Sequence, residues 1–310
     1  MVLAAGRGER MRPLSDVAPK PALPLPGGPL VGWSLRLLAT TGADRLVVNT
    51  WHLAARMEEA VRQVETGRRD LAVVVTREPD LLGTAGGLAR ARDLGLLGEA
   101  GPVVVANGDV VQSLDLGPLL ARHAEGVDDV TLALLPHLDP RRWSRVELDQ
   151  DGHVSAVRPS GPPQPGEVPL LYPGVMVVSR DALDRIPAAR CEVPEVLWDP
   201  ARRARRLGGV VVSGHWREVG TPTAYRETAV ALCGDRSRVA ADARVDPGAT
   251  LVSSFVGPGG RVAESAVVES SVIAEGASVG AGARVTRSIV LGPVEVSAGA
   301  TVHDQVLTSG

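Results

Sequence analysis

The last quarter of the chain repeats with a period of 17 residues, and this repeat constrains the fold more than any other feature. Its turns start at Val239, Val256, Ile273 and Val290. Within each turn an aliphatic residue recurs six and twelve positions later, at Val245 and Leu251, Val262 and Val268, Val279 and Val285, and Val296 and Val302. Spacings of six with three sides per turn are typical of a triangular parallel β-helix, here with one corner a residue short.

Two further positions in each turn keep the same register. Small residues, which suit tight corners, recur at Gly248, Ser265, Gly282 and Gly299. An aliphatic or aromatic residue ends each turn, at Phe255, Val272, Ile289 and Val306. We therefore predict a short β-helix domain over residues 235–310, whose inward aliphatic stack supplies the core.

Residues 1–234 show a different pattern, in which short apolar runs alternate with amphipathic stretches. The apolar runs are Val2–Ala5, Arg45–Asn49, Leu71–Thr76, Val103–Ala106 and Val130–Leu134. Such runs are typical of strands buried on both faces of a parallel sheet. The amphipathic stretches, predicted as helices, are Val31–Thr40, Leu53–Val64, Ala85–Leu94 and Leu116–Ala124. The alternation predicts a doubly wound, mostly parallel, Rossmann-like α/β sheet that binds ligands outside the carboxyl ends of its strands.

The second half of this domain is less regular. We predict strands at Val146–Leu148, Val154–Val157 and Leu170–Val178, and a closing helix at Thr223–Leu232. The domain assignment is therefore residues 1–234 for the α/β domain and 235–310 for the β-helix.

Composition narrows the classes of partner. The net charge of −3 gives no electrostatic reason to expect nucleic acid, and no apolar run approaches the roughly 20 residues that span a bilayer. Cys191 and Cys233 have neither metal-ligand nor redox spacing, so we expect a cytoplasmic location. Because only Met1 precedes the first predicted strand, a natural start upstream of Met1 stays open.

The segment Leu3–Leu14 follows directly on a predicted strand and carries two glycines, Gly6 and Gly8. Glycines two apart let the backbone turn tightly and present N–H groups to phosphate oxygens. Arg10 and Arg12 add guanidinium groups that can bind a polyphosphate in a forked geometry. The alternative is an ordinary strand-to-helix turn.

Lys20 is the only lysine among 33 basic residues. Pro19 and Pro21 flank it and stiffen the backbone, which holds one cation in place. Its position shortly after a phosphate-type loop favours a functional role over the alternative, a solvated loop lysine.

Two further motifs follow predicted strands. Gly83-Thr84-Ala85-Gly86 permits close backbone approach to a flat base, and the alternative is a helix N-terminus capped by Thr84. Asn107-Gly108-Asp109 ends the strand Val103–Ala106, where a carboxylate suits Mg²⁺, although an Asn-Gly turn would explain the same residues.

Together these motifs resemble the nucleotidyltransferase family that makes nucleotide sugars, which includes mannose-1-phosphate guanylyltransferases, glucose-1-phosphate thymidylyl- and uridylyltransferases and N-acetylmuramate-1-phosphate uridylyltransferases. The resemblance runs from Val2 to about Leu232. The motifs that carry it are the loop Leu3–Leu14, Pro19-Lys20-Pro21, Gly83–Gly86, Gly108-Asp109 and Trp216-Arg217-Glu218-Val219-Gly220-Thr221-Pro222. A β-helix after the catalytic domain, left-handed and built of hexapeptide repeats, is also common in this family.

The resemblance implies a transfer in which a sugar-phosphate oxygen attacks the α-phosphorus of an NTP and pyrophosphate leaves. Catalysis then consists of positioning and charge neutralisation. Arg10, Lys20 and Asp109 would be the catalytic residues, and Asp109 and Glu218 would hold Mg²⁺. The residues that would contact the nucleotide are Leu3, Ala4, Gly6, Gly8, Gly83, Thr84, Ala85 and Gly86.

The sugar side departs from the family pattern. Glu218 stands where the family usually has Asp, and its extra methylene changes the reach to a metal. Val157-Arg158-Pro159 replaces the family's Glu-Lys-Pro, and Tyr172-Pro173-Gly174 replaces Asn-Ala-Gly. Trp143-Ser144 stands for the usual Tyr-Gly. Arg158 and Gly174 are therefore the sugar-phosphate candidates.

Several functions stay open at this stage. We expect an active enzyme that forms an NDP-sugar, with GTP and mannose 1-phosphate favoured and UTP or dTTP with another sugar possible. The alternative is an inactive nucleotide-sugar-binding regulatory subunit of the same fold. An acyltransferase site on the β-helix would need a catalytic histidine, for which only His303 is available there. For the β-helix we therefore favour oligomerisation or regulation, so a homo-oligomer is expected.

Overall fold

The structure is a computed structural model and describes residues 1–137, 139–163 and 165–309. The strands before the repeat are β1 (Val2–Leu3), β2 (Pro24–Leu25), β3 (Gly28–Pro29), β4 (Arg45–Thr50), β5 (Ala72–Arg77), β6 (Val103–Asn107), β7 (Val110–Leu114), β8 (Val130–Pro136), β9 (Arg145–Leu148), β10 (Val154–Arg158), β11 (Leu170–Leu171), β12 (Val175–Val178), β13 (Leu207–Val211) and β14 (Gly214–Glu218).

Short and medium-length helices connect these strands. The α-helices are α1 (Leu14–Val17), α2 (Val31–Ala39), α3 (Ala54–Arg62), α4 (Gly83–Asp93), α5 (Gly117–Ala124), α6 (Arg180–Asp184), α7 (Asp199–Arg203) and α8 (Pro222–Cys233). Glu9–Met11 and Lys20–Ala22 form 3₁₀ helices, and Pro194–Trp198 forms a π-helical turn. No helix in the described ranges is long and apolar enough to cross a membrane.

The chain divides into two compact units, each made of several segments. The first unit comprises Met1–Gly6, Trp33–Trp51 and Glu65–Trp216. The second unit comprises Arg7–Gly32, His52–Val64 and Arg217–Gly310. The second unit therefore contains the β-helix, two inserted segments from the first 64 residues and the helix α8.

The first unit is built on one large sheet with the strand order β10-β9-β11-β8-β12-β6-β1-β4-β5, and β13 pairs with β8. Strands β6, β1, β4 and β5 are mutually parallel, as the alternating pattern predicts. Strand β12 lies antiparallel between β6 and β8, and β9, β10 and β11 are also antiparallel to their neighbours. The sheet is thus a mixed one with a parallel part at the amino-terminal strands.

The predicted strands and helices of this unit are present, with differences at their ends. The main exception is Leu170–Val178, predicted as one strand, which the structure divides into β11 and β12. Pro173 between them lacks a backbone N–H donor, and Gly174 has a φ of 93°, so neither suits a continuous strand. The core of the unit includes the buried side chains of Val105, Leu132 and Met176, which are register partners on neighbouring strands and share one face of the sheet.

The repeat forms three parallel sheets, as predicted for a β-helix. Its strands are β15 (Arg238–Val239), β16 (Arg244–Val245), β17 (Thr250–Val252), β18 (Phe255–Val256), β19 (Arg261–Val262), β20 (Val267–Glu269), β21 (Val272–Ala274), β22 (Ser278–Val279), β23 (Arg284–Thr286), β24 (Ile289–Leu291), β25 (Glu295–Val296), β26 (Thr301–His303) and β27 (Val306–Thr308). Each residue pairs with the residue 17 positions later, as in Val245 with Val262 and Leu251 with Val268. The predicted period and register are confirmed.

A ladder of buried serines accounts for the period of 17. Ser254, Ser271 and Ser288 are fully buried, and each follows a corner residue with a positive φ. The Ser271 hydroxyl donates to the carbonyl oxygen of Glu269 at 2.7 Å and accepts the N–H of Ser288 at 3.0 Å. Because a short polar side chain bridges successive turns here, this corner closes with one residue fewer than a regular hexapeptide side.

Other segments of the second unit pack against the β-helix. The Tyr225 hydroxyl, fully buried on α8, donates to the carbonyl oxygen of Pro24 at 2.6 Å. Arg56 on α3 forms an ion pair with Glu275 in the corner after β21. Helix α1 contacts β27, and α3 contacts the 3₁₀ helix Lys20–Ala22. Residues 7–14 of the predicted phosphate loop, with Gly8 and Arg10, thus belong to the same compact unit as the β-helix, whereas residues 3–6 belong to the first unit.

Candidate functional site

In the first unit, candidate residues gather at the carboxyl ends of the parallel strands, where such sheets bind ligands. Leu3 ends β1 and Ala4 follows it, while Gly108 and Asp109 follow β6, which pairs with β1. The N–H of Gly108 donates to the carbonyl oxygen of Leu3 at 2.9 Å. A Cβ atom at Gly108 would lie 3.0 Å from that oxygen and 3.3 Å from the Cβ of Ala4. Glycine at this position therefore lets the half-buried Asp109 follow directly beside the end of β1.

Gly174 lies in the same cluster, since β12 pairs with β6. The N–H of Asn107 donates to the carbonyl oxygen of Gly174 at 2.8 Å. A Cβ atom at Gly174 would lie 2.6 Å from Nδ2 of Asn107, and the φ of 93° also favours glycine. The Ser34 hydroxyl donates to the carbonyl oxygen of Asn107 and accepts from Gln112. These hydrogen bonds and close contacts together hold the turn that carries Asp109 in place.

The predicted base loop, Gly83–Gly86, forms the first turn of α4. These residues do form a helix N-terminus, as the alternative predicted, but the N-cap residue is Leu82, which makes no side-chain cap, so Thr84 does not cap the helix. Instead, the Thr84 hydroxyl donates to Glu192 at 2.7 Å and accepts the N–H of Val193 at 2.9 Å. These contacts attach the loop to the segment that precedes the π-helical turn.

Several backbone donors of this loop already have acceptors within the protein. The N–H of Thr84 donates to the Glu192 carboxylate at 3.0 Å. Those of Ala85 and Gly86 donate to the carbonyl oxygen of Cys191 at 3.1 and 3.2 Å. A Cβ atom at Gly83 would lie 2.5 Å from that same oxygen. The prediction that these groups read the base stays a prediction, and a bound base would have to share these N–H groups or use other groups of the loop.

Sequence reasoning did not single out Glu192, Asn49 or Glu78, which contact the predicted loops. Asn49 accepts the N–H of Ala4 at 2.8 Å, and Glu78 accepts the N–H of Leu82 at 3.0 Å. The available signal was local. Asn49 is the polar last residue of the predicted strand Arg45–Asn49, after three apolar residues, and Glu78 lies two residues beyond the predicted strand Leu71–Thr76.

In the second unit, the phosphate-type loop lies against Lys20. Gly8 has a φ of 63° and precedes the 3₁₀ helix Glu9–Met11. A Cβ atom at Gly8 would lie 3.4 Å from the Cβ atoms of Lys20 and Ser15. Lys20 is only 7% exposed and begins the 3₁₀ helix Lys20–Ala22, in which Pro19 is the N-cap residue and Pro21 the second helical residue. The structure therefore brings together the second glycine of the loop and the only lysine of the chain.

Arg10 and Glu218 form an ion pair in the same unit, with 3.3 Å between Nη2 of Arg10 and Oε1 of Glu218. The Arg10 side chain is 71% exposed, whereas that of Glu218 is 21% exposed. A Cβ atom at Gly220 would lie 3.0 Å from the same carboxylate oxygen, so glycine leaves room for the pair. An exposed guanidinium held beside a carboxylate can exchange that partner for a phosphate.

Arg158 is a predicted site residue of the first unit that lies away from the Gly108–Gly174 cluster. It ends β10, which is four strands from β12 in the sheet, roughly 19 Å at the usual strand spacing. Its guanidinium pairs with Glu147 on β9, and this hydrogen bond raises the pKa of Arg158. The sugar-phosphate role of Arg158 stays a prediction.

Asp109 and Glu218 are the predicted metal ligands, and their carboxylates are the hard oxygen donors that Mg²⁺ prefers. In the described part of the chain, no group of three or more His, Cys, Asp or Glu side chains could hold a metal ion by itself. Mg²⁺ sites in phosphate-transfer enzymes commonly use one or two carboxylates together with water and substrate phosphates. Asp109 belongs to the first unit and Glu218 to the second, and the role of both as metal ligands stays a prediction.

Comparison with protein families finds two matches that together cover the chain. The nucleotidyl transferase family matches residues 1–234. The GlmU-like C-terminal hexapeptide family matches residues 231–309.

Several curated relatives are named as sugar-1-phosphate nucleotidyltransferases. A mannose-1-phosphate guanylyltransferase of Mycobacterium tuberculosis is 32% identical over 271 residues, which is 83% of this chain and 74% of that protein. An N-acetylmuramate alpha-1-phosphate uridylyltransferase of Neisseria meningitidis is 34% identical over 242 residues, or 76% of this chain and 97% of that protein. Mannose-1-phosphate guanylyltransferase 1 of Arabidopsis thaliana is 25% identical over 261 residues, covering 82% of this chain and 70% of that protein.

Among solved structures, that of HddC from Yersinia pseudotuberculosis superposes with a TM-score of 0.60. It covers 74% of this chain and 96% of HddC at 20% identity, which supports the fold.

Proposed function

The chain belongs to the nucleotidyl transferase family, and from this premise we propose that it transfers a nucleoside monophosphate from an NTP to a sugar 1-phosphate. The reaction releases pyrophosphate and forms an NDP-sugar. Two relatives that are more than 30% identical are named as enzymes that act on a sugar 1-phosphate, which favours this function over a binding subunit without turnover.

The observation that best supports the proposal is the close approach of Gly8 to the buried Lys20. Gly8 also stands two residues before Arg10 in the sequence. A glycine loop with a positive φ can present backbone N–H groups to phosphate oxygens. A cation buried beside that loop is held in place before the substrate arrives, so its charge costs little reorganisation during the reaction.

In the proposed mechanism the sugar-phosphate oxygen attacks the α-phosphorus in line with the departing pyrophosphate. Lys20 neutralises charge at the α-phosphate, and Arg10 leaves Glu218 to bind the β- and γ-phosphates. Gly6 and Gly8 provide backbone contacts to the nucleotide, and the Gly83–Gly86 loop contacts the nucleobase. The chain's own groups thus act by positioning and charge.

The family generally uses a divalent metal, and we propose Mg²⁺ for this chain. Asp109 and Glu218 would hold it. When bound, it would supply positive charge to the phosphate oxygens.

For the substrate pair we propose GTP with mannose 1-phosphate, with UTP and N-acetylmuramate 1-phosphate as the second candidate. The first pair follows the Mycobacterium tuberculosis and Arabidopsis thaliana relatives, and the second follows the Neisseria meningitidis relative. Gly174 is proposed as a sugar-phosphate contact because it lies beside the turn that carries Asp109. Arg158 keeps its proposed role only if a bound sugar phosphate reaches β10.

The test is a pyrophosphate-release assay of the full chain with GTP, UTP, dTTP and ATP, each combined with mannose, glucose and N-acetylmuramate 1-phosphates. We expect turnover with GTP and mannose 1-phosphate that requires a divalent cation and exceeds all other pairs. Turnover with a different pair would correct the substrates. Absence of turnover with every pair, alongside NTP binding, would instead establish the binding subunit.

The remaining proposals concern organisation. We propose that the catalytic domain ends near residue 234, because α8 ends at Cys233 and Gly234 has a φ of 64°. We also propose a cytoplasmic homo-oligomer in which a second copy covers the first turn of the β-helix, where Val239 and Val252 are almost half exposed. Light scattering of the full chain tests the oligomer, and a monomeric mass at all concentrations would contradict it.

A further inference from the structure

A buried asparagine and a buried glutamate connect the two predicted nucleotide loops of the first unit. Asn49 is the second-last residue of β4 and is 2% exposed. Its Oδ1 accepts the N–H of Ala4 at 2.8 Å, and its Nδ2 donates to Oε1 of Glu78 at 2.6 Å. Both ends of the amide are thus used, which fixes the orientation of the side chain.

Glu78 continues the connection to the base loop. It follows β5 and is 5% exposed. Its second carboxylate oxygen accepts the N–H of Leu82 at 3.0 Å, one residue before Gly83. Its own N–H donates to the carbonyl oxygen of Thr50 at 2.8 Å. A hydrogen-bonded chain therefore runs from Ala4 through Asn49 and Glu78 to Leu82.

The backbone of α4 approaches this pair closely at Gly87. A Cβ atom at Gly87 would lie 2.6 Å from Nδ2 of Asn49 and 2.7 Å from Oε1 of Glu78. The helix that begins with the base loop therefore packs its backbone directly onto the two side chains. A side chain at position 87 would collide with both Asn49 and Glu78.

We propose that Asn49 and Glu78 are positioning residues, which hold the loop after β1 and the loop before α4 in one arrangement so that both contact the same nucleotide. The inference rests on the proposed function, since it assumes that these two loops bind an NTP. Burial of a carboxylate and an amide is costly unless every polar atom has a partner. This pair meets that requirement only while both loops keep their places.

The polarity of the pair suggests a double-variant test. In Asn49→Asp two carboxylate oxygens would face each other, and in Glu78→Gln an amide N–H₂ would face either Asn49 Nδ2 or the Leu82 N–H. The combination Asn49→Asp with Glu78→Gln restores complementarity. The introduced aspartate would accept from Ala4 and from the introduced glutamine, and the glutamine oxygen would accept from Leu82. The double variant also keeps the net charge of the natural pair.

The measurement is the equilibrium Kd of GTP and UTP in the absence of sugar phosphate, together with KM and kcat for each substrate. We expect each single variant to raise the Kd and KM of the preferred NTP by at least about tenfold, whereas KM for the sugar 1-phosphate changes less than about twofold. The double variant should return to within about threefold of the natural chain.

A matched control is Glu167→Gln, which removes another buried carboxylate of the first unit, paired with Arg145 at 3.2 Å. It should lower the thermal midpoint without raising the Kd of NTP. Far-UV circular dichroism and the thermal midpoint are measured for all variants. If the single variants lower the midpoint as Glu167→Gln does but leave the Kd unchanged, the pair is only structural and the proposal fails.

Failure of the double variant to restore NTP binding, with its fold intact, would also overturn the inference. The two proposals remain distinguishable, because the Kd is measured without catalysis. A natural chain that binds NTP but turns over no substrate contradicts the proposed function and leaves this test valid. A natural chain that binds no NTP contradicts both.

Discussion

Lys20 combines burial, a fixed backbone and a place beside the glycine loop. We expect Lys20→Ala to lower kcat by at least about tenfold, because the variant removes a preorganised charge from the phosphates. Steady-state kinetics with saturating NTP would measure the loss. Circular dichroism should show an intact fold.

The matched variant Lys20→Met separates charge from packing, since methionine keeps an unbranched apolar stem of similar length. Equal losses in kcat for Lys20→Ala and Lys20→Met are expected if charge is the cause. Unchanged turnover in Lys20→Met would remove Lys20 from the catalytic residues.

Asp109 lies in the turn that Gly108 and Gly174 hold against the ends of β1 and β12. We expect Asp109→Asn to abolish turnover that depends on a divalent cation, because an amide oxygen is a weaker ligand than a carboxylate. Assays across a Mg²⁺ titration would measure this. Asp115→Asn, which changes an exposed aspartate shortly after in the chain, should leave the titration unchanged.

At this scale, the sequence predicted residues whose chemistry is carried by short motifs, such as Gly8, Lys20 and Asp109. It did not predict Glu192, which binds Thr84 from 108 positions along the chain. A contact of that kind depends on how α4 and the segment before Pro194 come together, and no local spacing encodes it. Asn49 and Glu78 did carry a local signal, because each is a polar residue at or just beyond the end of a predicted strand, but neither lies in one of the motifs.

Among the elements, the β-helix offers a direct test of its short corner. We expect Ser271→Ala to lower the free energy of unfolding by about 1–3 kcal/mol, because the buried N–H of Ser288 would lose its acceptor. Chemical denaturation monitored by circular dichroism would measure it. Ser278→Ala, at a half-buried strand position of the same turn, should change the free energy by less than about 0.5 kcal/mol. Equal effects for the two variants would contradict the ladder.

Helix α5 carries a buried histidine whose stability contribution depends on pH. Burial lowers the pKa of His123, although Asp128 and Asp129 oppose that shift, and its Nδ1 lies 2.8 Å from the Thr131 hydroxyl. Between the lowered native pKa and about 6.5, the unfolded chain binds more protons, so stability falls as the pH falls through this window.

We therefore expect the difference in unfolding free energy between pH 7.5 and pH 5.5 to shrink in His123→Asn, as measured by urea denaturation at both pH values. The control His215→Asn changes an exposed histidine and should keep the natural pH dependence. A pH dependence in His123→Asn equal to that of the natural chain would refute the assignment.

Periodicity predicted the elements well where one period governs the whole element. The 17-residue repeat gave the register of all three β-helix sheets, and the apolar runs gave β4, β6 and β8. Periodicity predicted neither the direction of β12 nor the pairing of β13 with β8. The reason is that a buried apolar run has the same pattern whether its neighbouring strands are parallel or antiparallel. The split at Pro173-Gly174 was visible in the residues themselves.

For the molecule as a whole, the compact units do not coincide with the continuous ranges 1–234 and 235–310. Arg7–Gly32, with Gly8, Arg10 and Lys20, belongs to the unit that contains the β-helix. Contacts such as Tyr225 with Pro24 bind this segment to α8. A sequence pattern could not show this, because each segment follows its own local period. Folding of the phosphate segment is therefore expected to depend on the β-helix.

The last prediction tests this dependence in the full chain. Arg56 on α3 pairs with Glu275 of the β-helix, and α3 contacts the 3₁₀ helix that begins at Lys20. Glu275→Gln removes the negative charge from this ion pair. Because the pair is partly exposed, it contributes up to about 1 kcal/mol of stability. We expect KM for the NTP to rise by about two- to fivefold, with KM for the sugar 1-phosphate unchanged, in steady-state kinetics with each substrate varied in turn.

The control is Asp304→Asn, which weakens the exposed pair of Arg287 and Asp304 elsewhere on the β-helix, 3.8 Å apart. It should leave both KM values unchanged. An equal rise in the KM of NTP for the two variants would mean that any change to the β-helix acts on the whole protein. No rise in Glu275→Gln would mean that α3 holds Lys20 without the β-helix. Only a rise specific to Glu275 supports a scaffold role in which the repeat domain fixes the phosphate segment through α3.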